Sequence, residues 1–163
     1  MPRRWNKGET LEQYKERMID PISESYCAAK WYNATIWLGH GQTASCHHPP
    51  GHWIPLEELK DNYTAIHNTK HKKLMRKYMQ EGKRPAECEY CWKVEDMGKN
   101  HVSDRTFKTE IFKDEDVHKS AEMPWDENVM LRTLEISFDR ACNFSCSYCN
   151  PAFSTAWVKD INT

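Results

Sequence analysis

Aliphatic side chains are scarce in this 163-residue chain: Leu, Ile, Val and Phe occupy only 25 positions. Such a chain stays disordered when its net charge is large, because too little apolar area is available to offset the entropy of ordering. Here 23 basic and 24 acidic residues nearly cancel, and seven Trp, seven Tyr and seven Met supply bulk that disordered chains lack. The composition therefore points to a folded protein with a thin aliphatic core, held together by something else. Long apolar runs are missing as well, which excludes a bilayer-spanning helix. The opening stretch, MPRRWNKGETLEQYKERM, has no apolar h-region and does not read as a secretory signal. A formal charge of −1 gives no overall attraction to nucleic acid. A cytoplasmic address is the resulting expectation. In that reducing compartment the seven cysteines read as metal ligands or reactive groups before disulfides.

Local patterns divide the chain. Thr10 and Gln13 stand at capping-box spacing ahead of Leu11, Tyr14 and Met18, predicting a short helix in an N-terminal segment 1–22. Trp31 to Leu38 reads as a strand, with Gly39 to Gly41 as a turn into a second strand ending at Cys46. A helix fits Asn68 to Glu81, capped by Asn68 or Thr69 and stopped by Gly82, with Leu74, Met75, Tyr78 and Met79 as its core stripe. Its basic residues Lys70, His71, Lys72, Lys73, Arg76 and Lys77 read first as a solvated face. Residues 109–130 show weak periodicity and read as a linker. Leu131 to Phe138 alternates apolar and polar side chains, as a half-buried strand does, and Phe153 to Ile161 looks like the start of a helix. The expected class is α+β.

The cysteines fall into two groups. Cys142, Cys146 and Cys149 form C-x3-C-x2-C in the loop after the predicted strand. Soft thiolates select zinc, copper or iron–sulfur clusters, and three of them leave one position of a four-metal cluster open. Cys88 and Cys91 form C-x2-C, whose short reach lets both sulfurs face one metal or cluster, while Cys27 and Cys46 flank the predicted hairpin, which can bring those two to the same point. Four thiolates close the coordination of zinc and of a 4Fe–4S cluster equally well. His47, His48 and His52, close behind Cys46, are further candidate zinc ligands.

The segment LEISFDRACNFSCSYCN resembles the first strand and cluster loop of the radical S-adenosylmethionine superfamily, whose hallmark is C-x3-C-x-aromatic-C. The resemblance implies that Cys142, Cys146 and Cys149 ligate a 4Fe–4S cluster, with S-adenosylmethionine on the remaining iron. It places Tyr148 near the adenine, with Asn143 and Phe144 shaping the loop. The activity it implies is reductive cleavage of the sulfonium to a 5′-deoxyadenosyl radical, fed by an external electron donor. Residues 23–108 are similar to a twitch domain, a short relative of the SPASM domain, on YCAAKWYNATIWLGHGQTASC, the C-x2-C step and the trail Glu95, Gly98, Ser103 and Arg105. That resemblance implies an auxiliary 4Fe–4S cluster on Cys27, Cys46, Cys88 and Cys91, in a structural or an electron-carrying role. Relatives of this kind often modify peptides.

The superfamily builds a partial (β/α)6 barrel, of which residues 131–163 would supply the first strand, cluster loop and first helix. The expectation is an N-terminal portion of a longer enzyme, inactive by itself. A competing expectation is a zinc-ribbon-like module whose four thiolates hold zinc and whose basic helix meets nucleic acid or a partner protein. It leaves Cys142, Cys146 and Cys149 unexplained.

Overall fold

The computed structural model describes residue 6, residues 8–98 and residues 101–161. The first residues of the N-terminal segment and the last two of the C-terminal segment lie outside them. Among the described residues the chain is a mixed assembly of short helices on one four-stranded sheet, and no helix is long and apolar enough to cross a membrane.

The capping box forms as its spacing requires. Gln13 donates its backbone N–H to the Thr10 hydroxyl, and the Thr10 N–H returns to the Gln13 side chain. It opens α1 (Leu11–Tyr14), which widens into a looser turn through Ile19 and delivers Tyr14, Met18 and Ile19 to the core. Next come α2 (Ala29–Tyr32), β1 (Asn33–Trp37), β2 (Gln42–Ala44) and β3 (His52–Trp53). The β1–β2 hairpin turns at Gly41, whose φ of +63° suits a residue without Cβ. α3 (Leu56–Asp61) leads to α4 (Lys70–Gln80), which Thr69 caps by accepting the Lys72 N–H.

Met75 and Met79 of the α4 stripe are buried, whereas Leu74 is partly exposed. The expected solvated basic face is only half present. Lys72 and Arg76 are fully buried: Lys72 Nζ donates to Asn33 O, and Arg76 donates to Lys30 O, Glu127 O and Asn68 Oδ1. The physical reason is that long cationic side chains reach inward to backbone carbonyls of α2, β1 and the 124–129 strap, and these hydrogen bonds offset the cost of their burial.

After α5 (Glu89–Glu95) and α6 (Asp104–Glu110), the expected linker is instead ordered. It contains the end of α6 and all of α7 (Asp114–Glu122), with Phe112 and Val117 in the main core. Periodicity missed it because its inward face is largely polar. Thr109 and Ser120 are buried and spend their hydroxyls on Arg105 O and Val117 O.

The strand expected to begin a separate unit, β4 (Thr133–Ser137), pairs in parallel with β1, giving the order β3-β2-β1-β4. Asn33 faces Thr133 and Ile36 faces Ile136. Segment 131–161 is thereby stitched to the sheet of segment 23–108 rather than set apart from it. Thr35 donates to Glu135, and two positions earlier in the register Asn33 accepts from Thr133. The apolar face carries Ala34 and Ile36 into a small second core with Ile54, Leu59, Ile66 and Leu131, while Leu134 and Phe138 stay exposed. After the cysteine loop, α8 (Thr155–Ile161) closes the described chain.

Candidate metal centre

Cys27 precedes α2, Cys46 follows β2, and Cys88 and Cys91 lie at the start of α5. The hairpin returns Ala44 alongside Thr35, so the chain reaches Cys46 near the N-terminal end of β1, where Cys27 also lies. All four cysteines line one narrow cavity of about 20 Å³. Met79, Ala29 and the Trp92 ring form its apolar wall, and Lys30, Arg105 and Lys108 bring positive charge to it. Trp92 is fixed by donation of its indole N–H to Pro85 O at 2.8 Å.

The helix that carries Cys91 is anchored by the residues that follow it. Arg105 grips Glu95 through Nε and Nη2, Ser103 donates to the same carboxylate at 2.5 Å, and Arg105 Nη1 donates to Tyr26 O at 2.7 Å. Burial raises the Glu95 pKa, but the Arg105 and Ser103 bonds outweigh it and hold the carboxyl below its usual value. The network joins α5 to the peptide preceding Cys27. The trail Glu95, Ser103 and Arg105 is therefore a brace for the cysteine cavity, and Gly98 turns the chain at φ +147° between its parts.

Burial pushes all four thiols up, Cys27 most strongly, with neighbouring sulfurs adding to the effect at Cys27, Cys88 and Cys91, and Cys88 reaches about 11. Cationic charge nearby is plentiful. Lys30, only 2% exposed, pairs with Glu87, and burial that would neutralise it is overcome by the Cys88 sulfur and that carboxylate. Lys72 is buried on a single carbonyl, and its pKa falls well below the ordinary value through burial and repulsion by Arg76 and Lys30. A buried ammonium without a counter-charge is costly. A tetrathiolate centre, which is anionic with either zinc or a cubane, offsets that cost, and the donor set fits such a group.

Zinc and a cubane ask for different sulfur spacings. Ligands on one zinc, each about 2.3 Å from it, sit about 3.8 Å apart in a tetrahedron. Among the described residues no three cysteine sulfurs lie within 4.8 Å of one another. A cubane spreads its thiolates over four irons and holds them further apart. This spacing singles out neither zinc nor a cubane for the four thiolates. His52, expected as a candidate ligand, is turned away to Thr69 Oγ1 at 2.8 Å, and His47 and His48 meet Asp104 instead.

Cys142, Cys146 and Cys149 lie in the loop leaving the C-terminal end of β4. With β1 and β4 parallel and in register, this loop is at the opposite end of the sheet from the four-cysteine cavity, a strand length of roughly 15 Å away. Thr155 ties the loop down by donating its N–H to Arg140 O and accepting the Cys142 N–H, Ser154 donates to Phe144 O, and Trp157 donates to Cys146 O. Phe144 N–H points at Cys142 Sγ at 3.4 Å, and this donation, with help from Ser154 and the Asn143 backbone, lowers the Cys142 pKa. Tyr148 is 91% exposed and Phe144 is exposed beside it.

Between the two groups lies an open cavity of about 410 Å³, bounded by Trp37, His40, His47 and His48 on one side and Arg140 and Phe153 on the other. Comparison with protein-family models, curated proteins and solved structures finds no match for this chain. Three contributors escaped sequence reasoning: Lys30, Lys72 and Asp104. Each acts on a partner in another part of the chain, so no local spacing signals it.

Proposed function

We propose that this chain is the cluster-bearing part of a radical S-adenosylmethionine enzyme with an auxiliary 4Fe–4S cluster. Cys27, Cys46, Cys88 and Cys91 hold the auxiliary cluster with every iron ligated by the protein. Cys142, Cys146 and Cys149 hold the second, leaving one iron for S-adenosylmethionine, with Tyr148 beside the adenine and Asn143 and Phe144 shaping the loop. The observation that carries the reading is the convergence of Cys27, Cys46, Cys88 and Cys91 on one cavity, apart from the C-x3-C-x2-C loop of Cys142, Cys146 and Cys149. When bound, the three-thiolate cluster supplies the electron that cleaves the sulfonium, drawn from an external donor. The chain's residues hold the pieces. Phe144 N–H favours the thiolate form of Cys142, Thr155 and Trp157 fix the loop, and the Glu95–Arg105 brace fixes the cavity of the auxiliary cluster. The substrate, a peptide by resemblance, would occupy the cavity between the two groups, where Arg140 suits a carboxylate.

Burial of Lys72 and Arg76 removes the centre of the basic helix that a nucleic-acid-binding zinc module would need. Anaerobic purification followed by iron, sulfide and zinc analysis tests the proposal. About eight irons per chain are expected, falling to about four when Cys142, Cys146 and Cys149 become Ala, and likewise when Cys27, Cys46, Cys88 and Cys91 do. A chain that carries only zinc overturns it.

A further inference from the structure

We propose that His47, His48 and Asp104 form a separate site for one divalent transition-metal ion, opening onto the cavity between the cysteine groups. His48 Nε2 lies 2.8 Å and His47 Nε2 3.6 Å from the same Asp104 Oδ2, and the three donor atoms all fall within 4.8 Å of one another. Ligands about 2.1 Å from one ion sit about 3.0 Å apart in an octahedron and about 3.4 Å apart in a tetrahedron. The observed separations bracket those edges. A purely structural His–Asp pair needs one imidazole on the carboxylate, whereas here two converge on one oxygen.

The site is also held as metal sites are. Asp104 sits between Ser103 and Arg105, both bonded to Glu95, so its backbone is pinned on both sides. The His48 ring stacks on Tyr90 at 4.0 Å and 14°. Such outer contacts orient ligands and tune affinity. His48 and Asp104 are partly buried, while His47 is half exposed, leaving coordination positions toward the cavity that Arg140 and Phe153 close from the far side. Lys108 and Glu135 are the charged neighbours of His47, and their effects oppose each other. Two imidazoles and a carboxylate suit Zn²⁺ or Fe²⁺, and an open face on such a donor set binds an anionic group of a molecule in the cavity.

The inference stands apart from the cluster reading, and one experiment separates them. The full chain, iron-loaded under anaerobic conditions, is dialysed against Zn²⁺ and analysed for iron and zinc and by zinc-edge X-ray absorption. The expected result is one zinc per chain added to unchanged iron, with only N and O ligands at about 2.0–2.1 Å and no sulfur at about 2.3 Å. Asp104→Asn weakens zinc retention at least tenfold at constant iron content. His47→Gln, at a half-exposed position, makes the same comparison if Asp104→Asn does not fold. No added zinc in the native chain, zinc coordinated by sulfur alone, or zinc retained equally in both variants overturns the site. The iron count reports on the clusters by itself.

Discussion

Arg105 holds Glu95 in two parallel hydrogen bonds, Nε to Oε1 at 2.6 Å and Nη2 to Oε2 at 2.8 Å, with both side chains almost fully buried. The pair joins the helix of Cys91 to the peptide before Cys27, because the remaining Arg105 nitrogen reaches Tyr26 O. Charge and shape both matter here: a planar fork satisfies two carboxylate oxygens and a carbonyl at once, which a lysine cannot do.

Removing one partner leaves the other charged and unpaired in the interior. Arg105→Ala is expected to cost about 3–5 kcal/mol in urea unfolding. Arg105→Lys, which keeps the charge but not the fork, should recover only part of that. An Arg105→Ala chain within about 0.5 kcal/mol of the native one would show that the brace contributes nothing.

Asn68 makes a comparable brace for the strap that carries the chain toward β4. Its Oδ1 accepts from Arg76 Nη2 at 2.9 Å and from Val129 N at 3.2 Å, and its Nδ2 donates to Val129 O at 3.0 Å. Asn68→Ala strands these buried groups, each worth about 1–3 kcal/mol when unsatisfied. The expected outcome is a loss of about 2–4 kcal/mol, with faster proteolysis in residues 124–132. Unchanged cleavage there would mean that the strap is held by other contacts.

What was legible in the sequence was local. The capping box at Thr10, the Thr69 cap and the turn at Gly41 are short patterns that map onto the structure, whereas the strand expected from Trp31 starts only at Asn33, because Trp31 and Tyr32 end α2. The burial of Lys72 and Arg76 was not legible, because charge in a helix reads as solvated until the carbonyls it must serve are known. The helix α7 escaped for a related reason, since Ser120 occupies a buried position where periodicity looks for an apolar group. The pairing of β4 with β1 joins residues about a hundred positions apart, beyond the reach of any spacing rule.

That pairing makes its own prediction. Thr35 donates to Glu135 at 2.9 Å and Thr133 to Asn33 at 2.5 Å, so β4 is tied to β1 by side chains as well as by the ladder. Backbone amides of the two strands should exchange with deuterium at similar rates, as members of one cooperative unit. Asn33→Ala, which also breaks the bond from Asn33 Nδ2 to Ser45 O, should raise exchange in both strands together. Selective loss of protection in β4 alone would show that segment 131–161 opens independently.

Acid should destabilise the fold through His67. Its ring lies buried against the strap, Nε2 is 2.6 Å from Val129 O, and Nδ1 has no hydrogen-bond partner among the described residues. Burial lowers its pKa to about 4, with Lys72 and Arg76 adding repulsion and the Val129 carbonyl opposing the shift. In the unfolded chain an imidazole titrates near 6.5. Between those two values the unfolded state binds a proton that the folded state refuses, so stability is complete above about pH 6.5 and declines as pH falls toward about 4. A shift of this size corresponds to at most about 3–4 kcal/mol over the window. His52, also lowered to about 4 by burial and by His71, adds to the same slope. Thermal unfolding of the native chain and of His67→Gln from pH 7.5 to 4.5 checks the assignment. The variant loses the charging step and should show a flatter profile over that range, whereas parallel profiles would place the acid sensitivity elsewhere.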